Sequence, residues 1–265
     1  MNELIDDPTQ ISKLADLFNA TPETTEVVTT FPPSGIVELP GGFLLDDGSI
    51  ATTAEVRELT GLDEEAIAKA SSVNSAMNVI LKRGLVSIGD VPASKLKLDG
   101  MLIADRDAIL LAIRNATFGN DVSYATYCST CEGSVELTLN LEKDIKVVKL
   151  DDPVDDRVFS VDTKAGEAMI TLPTLVTNKK LADVDGKSFA EFTTVLLAGC
   201  IVSINGDPSL GRETALSLNM KDRQVISEKL LEHSPGPRLS EVMKACGACG
   251  TELVLSLSLA ELFRI

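Results

Sequence analysis

Residues 101–141 read MLIADRDAILLAIRNATFGNDVSYATYCSTCEGSVELTLNL, and residues 218–259 read LNMKDRQVISEKLLEHSPGPRLSEVMKACGACGTELVLSLSL. Side by side, Asp105-Arg106 meets Asp222-Arg223, Ile109 meets Ile226, Ile113 meets Leu230, and the pair Cys128 and Cys131 meets Cys246 and Cys249. The offset is 117 residues through the helix and 118 at the cysteines, with a one-residue slip between them. Upstream, Val86-Ser87-Ile88 matches Val202-Ser203-Ile204 at an offset of 116. Several matches in one order at a nearly constant offset predict an internal duplication, each copy of about the size of a small domain. The expected divisions are an N-terminal arm over 1–35, a first repeat over 36–150 and a second over 151–265.

Each repeat carries one local programme. Asp105 and Asp222 sit where an N-cap belongs, ahead of apolar spacings (Ile109, Leu110, Ile113; Val225, Ile226, Leu230) that give one buried helical face. Gly119 and Pro235-Gly236 stop the two helices. A short strand, a Cys-x-x-Cys and an alternating strand follow: Val135, Leu137, Leu139, Leu141 in one copy and Leu253, Leu255, Leu257, Leu259 in the other. Helical spacing is also expected over Glu64–Leu85 and Ser188–Ile201, with strands at Val56–Leu59 and Met169–Leu175. The fold class expected is α+β.

A Cys-x-x-Cys turn brings two sulfurs close enough to ligate one tetrahedral zinc, and two matched turns supply four. Packing the hairpins about a pseudo-twofold axis would bring Cys128, Cys131, Cys246 and Cys249 to one point, as in a zinc ribbon whose halves lie far apart in sequence. Gly133, Gly247 and Gly250 let the backbone bend its N–H groups toward the sulfurs. One structural zinc per chain is therefore expected. Redox dithiols fit less well, because such motifs open a helix whereas these lie between strands. Disulfides fit a reducing compartment poorly, and two matched pairs argue against inert thiols. Cys200 stands alone in an apolar run and reads as core.

Composition narrows the rest. The 265 residues carry a net charge of −16, a field that repels phosphate backbones, so a nucleic-acid partner is not expected. The longest apolar run, Val195–Ile204, falls far short of the roughly 20 residues of a membrane span. The N-terminus, MNELIDDP, is acidic where a secretory signal is basic, so a chain made and kept in a cytoplasm is expected. No phosphate loop, dinucleotide fingerprint or nucleophile elbow occurs, and the one histidine, His233, reads as a helix C-terminal cap, so no enzyme is expected. The acidic run Asp151–Asp156 reads as a solvated linker, and Asp63-Glu64-Glu65 as charges at a helix start. Within the first 35 residues, Ile5, Ile11, Leu14, Leu17 and Phe18 form an apolar stripe that fits an arm packing on a partner.

In their order, a further set of short segments is similar to the baseplate hub and hub-assembly proteins of contractile-tailed phages of the T-even type and of related injection systems. The segments are Leu39-Pro40-Gly41-Gly42, Leu59-Thr60-Gly61-Leu62-Asp63-Glu64, the stretch RNATFG from Arg114 to Gly119, and then Pro235-Gly236, Cys246, Cys249 and Phe263. The resemblance spans about residues 36–265 and departs at Leu39-Pro40 and at the end, where one Phe stands for a pair. It implies a structural part of a phage tail baseplate, made in the host cytoplasm, kept in the virion tail and bound to other tail proteins, with room for a homo-oligomer. The alternative it implies is an assembly chaperone of the hub that leaves the particle. A cytoplasmic dithiol redox protein is the distant third reading.

Overall fold

The computed structural model describes residues 35–184 and 188–264; the arm expected over 1–35 lies outside them except for Gly35, which opens the first strand. Strands β1 (Gly35–Leu44) and β2 (Ile50–Val56) pair antiparallel around a turn in which the Asp47 carboxylate accepts from the N–H and hydroxyl of Ser49. Their register breaks between Glu38 and Phe43, so Leu39-Pro40-Gly41-Gly42 bulges out of the ladder. Helices α1 (Gly61–Ala68) and α2 (Val73–Gly84) follow, then β3 (Leu85–Ile88) and β4 (Val91–Pro92), which complete a four-stranded antiparallel sheet in the order β1-β2-β3-β4. Helix α3 (Ile103–Phe118) leads into the hairpin β5 (Asp121–Cys128) and β6 (Gly133–Asn140), and then into the short β7 (Val147–Val148).

A similar but not identical order of elements follows, with an added helix ahead of the long one and the short strand placed before the last hairpin rather than after it. Strands β8 (Val158–Thr163) and β9 (Gly166–Thr171) precede helices α4 (Leu175–Ala182) and α5 (Phe189–Cys200). Next come β10 (Ile201–Ile204) and β11 (Asp207–Pro208), in a second sheet of order β8-β9-β10-β11. Helices α6 (Arg212–Ser217) and α7 (Met220–His233) lead through β12 (Gly236–Pro237), which pairs with β7, to the hairpin β13 (Val242–Ala245) and β14 (Glu252–Leu255). A last short helix, α8 (Leu259–Phe263), closes the described chain. None of the helices among the described residues is long and apolar enough to cross a membrane.

Two apolar cores result. The first gathers Ile80, Ile88, Ile109, Leu110 and Ile113 with Leu139 and Leu141 of the first hairpin region; Val242 and Leu255 of the last hairpin and Leu262 and Phe263 of α8 are buried in the same cluster. The second holds Val161, Ile170, Leu197, Cys200, Ile226 and Leu230. The C-terminal hairpin and helix thus complete the core built by the first half, which is why the two Cys-x-x-Cys turns come to lie together.

Several boundaries differ from the sequence expectation for local reasons. The helix expected over Glu64–Leu85 is two, because Ser72 adopts an extended conformation and its hydroxyl accepts from Ser75 N–H, starting α2 afresh. The strand expected at Val56–Leu59 ends at Val56. Another, expected over Met169–Leu175, ends at Thr171, with Leu175 opening α4. The alternation Leu253 to Leu259 breaks after Leu255, because Ser258 and Glu261 form a capping box and turn Leu259 into the first residue of α8. The helix expected over Ser188–Ile201 is α5, with Ser188 as its cap.

Asp105 and Asp222 are not the N-caps. Leu102 and Asn219 hold those positions, and each aspartate is the third residue of its helix, fully or almost fully buried and turned outward to a neighbouring strand turn. Asp105 accepts from Gly41 N–H at 2.7 Å, and Asp222 accepts from Lys164 and Ala165 N–H at 3.0 and 3.2 Å. Arg157, ahead of β8, donates to the carbonyls of Gly41 and Gly42 from the other side, so the Leu-Pro-Gly-Gly bulge is gripped by both halves of the chain.

Close approach also fixes Gly84, at the end of α2. A Cβ there would lie 2.6–2.8 Å from the side chain of Ile113 on α3. Gly84→Ala is therefore expected to cost about 1–3 kcal/mol through overpacking. Gly61→Ala, at a site where a Cβ would meet nothing within 4 Å, should be neutral or gain up to about 1 kcal/mol. Denaturant unfolding of the two variants checks both; equal stabilities would contradict the close approach of Gly84 to Ile113.

Candidate metal centre

The first cysteine pair is built by an uninterrupted eight-residue ladder, from Asp121 opposite Asn140 to Cys128 opposite Gly133. Cys128 is the last strand residue and is buried; Cys131 lies in the turn and is exposed. The turn closes at Glu132, whose φ of 51° is the left-handed conformation that reverses the chain in so short a space. In the second hairpin Ala245 pairs with Glu252, and Cys246 N–H extends the ladder by donating to Thr251 C=O at 2.8 Å. Gly250, at φ 75°, then donates back to Cys246 C=O at 2.8 Å. Again the first cysteine, Cys246, is buried and the second, Cys249, is exposed.

All four sulfurs lie within 4.8 Å of one another. Cys128 Sγ is 3.7 Å from Cys249 Sγ, and Cys131 Sγ is 3.8 Å from Cys246 Sγ, each contact crossing from one hairpin to the other. A disulfide requires about 2.05 Å, so these are free thiols. A tetrahedron with arms of about 2.3 Å has edges of about 3.8 Å, the separation seen across the hairpins. The four sulfurs are thus placed to hold one metal ion. Four protein ligands fill such a coordination sphere and leave no position for a substrate or a reactive water.

Two of the thiols, Cys249 and Cys131, are shifted in opposite directions. The hydroxyl of Thr251, 3.3 Å from Cys249 Sγ, and the Thr251 backbone lower the Cys249 thiol to about 6, while hydrogen bonds to Cys249 and Cys246 push Cys131 up to about 12. One thiolate forms readily, and a cation among them is what would let all four ionise together. Other contacts lock the hairpins in place. The hydroxyls of Thr251 and Thr130 lie 3.0 Å apart, Lys244 pairs with Asp144 at 2.5 Å, and Tyr124 donates to Ser256 C=O at 3.3 Å. No spacing or repeat in the sequence marks these partners; Thr130 and Thr251 are set apart only by lying next to the cysteines.

The remaining candidates fall elsewhere. Cys200 is buried in the second core, where burial pushes its thiol up to about 12, and it does not join the four. His233 ends α7 as expected, its Nδ1 2.9 Å from Lys229 C=O, and its ring stacks on Phe159 with centroids 4.2 Å apart. In the acidic run, Asp152 accepts from Val154 and Asp155 N–H, and Asp156 accepts from Asp152 N–H, so these carboxylates turn the chain between the halves. Asp63 does more than face a helix dipole: it closes the capping box with Thr60 and binds Arg57 at 2.8 Å.

No curated protein and no solved structure matches the chain. One protein family does, over residues 49–264, a span that takes in both hairpins, all four clustered cysteines and the Arg114–Gly119 signature but not Leu39–Gly42. That family is described as T4 bacteriophage base plate protein, and the chain, matched over most of its length, belongs to it.

Proposed function

We propose that this chain is a non-catalytic building block of the hub region of a contractile-tail baseplate, in which Cys128, Cys131, Cys246 and Cys249 hold one structural zinc. The carrying observation is the closed four-sulfur set: it joins two hairpins whose cysteines lie 118 residues apart, in a member of a base plate family, and it offers no open position for chemistry. Zinc suits an all-thiolate tetrahedral site and would clamp the last hairpin onto the core of the first half. The similar order of elements supports reading 36–150 and 151–265 as two copies of one unit, related by a pseudo-twofold axis through the metal. Its partners would be other tail proteins rather than DNA, in keeping with the net charge of −16. Assembly would take place in the host cytoplasm, with the chain retained in the virion tail.

Mass spectrometry of purified particles tests retention. Peptides from this chain at a fixed stoichiometry with known tail proteins are expected; their absence from particles whose assembly nonetheless needs the chain would make it an assembly chaperone. Native mass spectrometry of the purified chain should find one zinc.

A further inference from the structure

The second half carries an apolar face that nothing described in the chain covers. Met220 is 87% exposed, Phe189 85%, Leu231 68% and Leu216 57%, on helices α5, α6 and α7. They line a groove of about 1130 Å³ together with the smaller Ala190, Thr193 and Ser227. Large apolar side chains beside a hollow of small ones, clustered rather than scattered, mark a surface made to be buried.

We infer that this face joins two copies of the chain about a twofold axis. On α7, Met220, Gln224, Ser227 and Leu231 follow i, i+4, i+7, i+11 spacing and share one face, opposite the buried Asp222, Ile226 and Leu230. Lys221 and Glu228 lie on one edge of that face, two turns and about 10 Å apart along the axis. A twofold axis perpendicular to α7, lying between the two copies at the level midway between these residues, runs the two α7 helices antiparallel and sets Lys221 against Glu228 of the partner subunit, twice over. It also lays Met220 near Leu231 of the partner subunit and offers each Phe189 the other copy's hollow. Lys221 makes no ion pair among the described residues, so its charge is available. An isologous interface requires a patch that complements itself, and this one carries both signs and both shapes. Local pairing of this kind is also what would let two chains of net charge −16 approach.

Sedimentation equilibrium of the full-length, metal-loaded protein over a wide concentration range tests this. The wild type should be a dimer. Met220→Asp and Phe189→Asp, at exposed positions where the fold should tolerate them, should each weaken dimerisation at least about tenfold with circular dichroism and metal content unchanged. Lys221→Glu and Glu228→Lys should each weaken it, and the two together should restore it, because an isologous contact swaps both ion pairs at once. A wild-type monomer at every concentration, with another baseplate protein left to cover the face, overturns the inference. So does a dimer indifferent to Met220→Asp, or a double variant no better than the single ones.

Discussion

Cys246→Ser should abolish metal binding and release the last hairpin from the first, while leaving α3 and α7 protected from hydrogen exchange. Structural zinc contributes roughly 10–16 kcal/mol in small peptides at neutral pH, more than the whole stability of many domains at about 5–15. What keeps its loss local is the distribution of the cores. Ile109, Leu110 and Ile113 of α3 are buried in the first core, and Ile226 and Leu230 of α7 in the second, none of the four clustered cysteines being a member of either core. The β13–β14 hairpin has strands of four residues each and pairs with no third strand among the described residues, and an isolated pair of that length is marginal in water. Its anchors besides the sulfurs include Val242 and Leu255 in the core, the Lys244–Asp144 pair and the hydrogen bonds Thr251–Thr130 and Tyr124–Ser256. Protection should therefore fall most in β13 and β14 and less in the longer β5–β6 ladder. Cys200→Ser is the control: it places a hydroxyl in the second core and costs stability, but the metal content should be unchanged. Collapse of protection across both cores in Cys246→Ser would show that the halves cannot stand without the metal.

How far the cysteine site could be read in advance depends on the range of the interactions involved. The spacing of each pair is local, and its recurrence 118 residues on is a pattern visible in one dimension. The contacts that dock the hairpins join Asp144 to Lys244, Thr130 to Thr251 and Tyr124 to Ser256, and no periodicity marks such pairs. Asp105 and Asp222 were recognisable as counterparts, yet their role was not, because aspartate suits both the cap and the first turn of a helix. What decides is Asn219, whose own side chain accepts from Asp222 N–H at 3.0 Å and takes the cap. Helix α8 was legible in principle. Ser258-Leu259-Ala260-Glu261 is a capping-box sequence, and the leucine alternation around it drew the reading toward a strand. The folding of α8 back onto the first core is a tertiary fact that its five residues do not announce.

Between about pH 4 and pH 7 the buried carboxyl of Asp105 should make the fold less stable as pH rises. Asp105 is fully buried; one carboxyl oxygen accepts from Gly41 N–H at 2.7 Å, and the other has no hydrogen-bond partner among the described residues. Burial raises its pKa to about 7, although the N–H groups of Gly41 and Gly42 and the Arg157 guanidinium pull the other way. The unfolded chain gives up this proton near pH 3.8 and the folded chain only near 7, so within that window the native state binds more protons. Stability therefore falls by about 1.4 kcal/mol per pH unit, roughly 4 kcal/mol in all, and levels off above the folded pKa. Asp107, raised by burial against the opposing charge of Arg106, adds in the same direction. Asp63 acts with the opposite sign in another window. Burial disfavours its charge, but the bonds from Arg57 and Thr60 outweigh burial and hold it at about 2, so the stability it provides is full above pH 4 and lost as pH falls toward 2. Acid also protonates the cysteine ligands and releases metal, which would mask Asp105 in the wild type alone. The variant Asp105→Asn isolates it: the amide oxygen can still accept from Gly41, but no proton is gained or lost. Urea unfolding of both metal-loaded proteins at a series of pH values should show Asp105→Asn gaining on the wild type by several kcal/mol from pH 4 to pH 7. Parallel profiles would mean that Arg157 keeps the carboxylate charged throughout, and that both halves grip the Leu-Pro-Gly-Gly bulge through an ion pair rather than through a neutral acid.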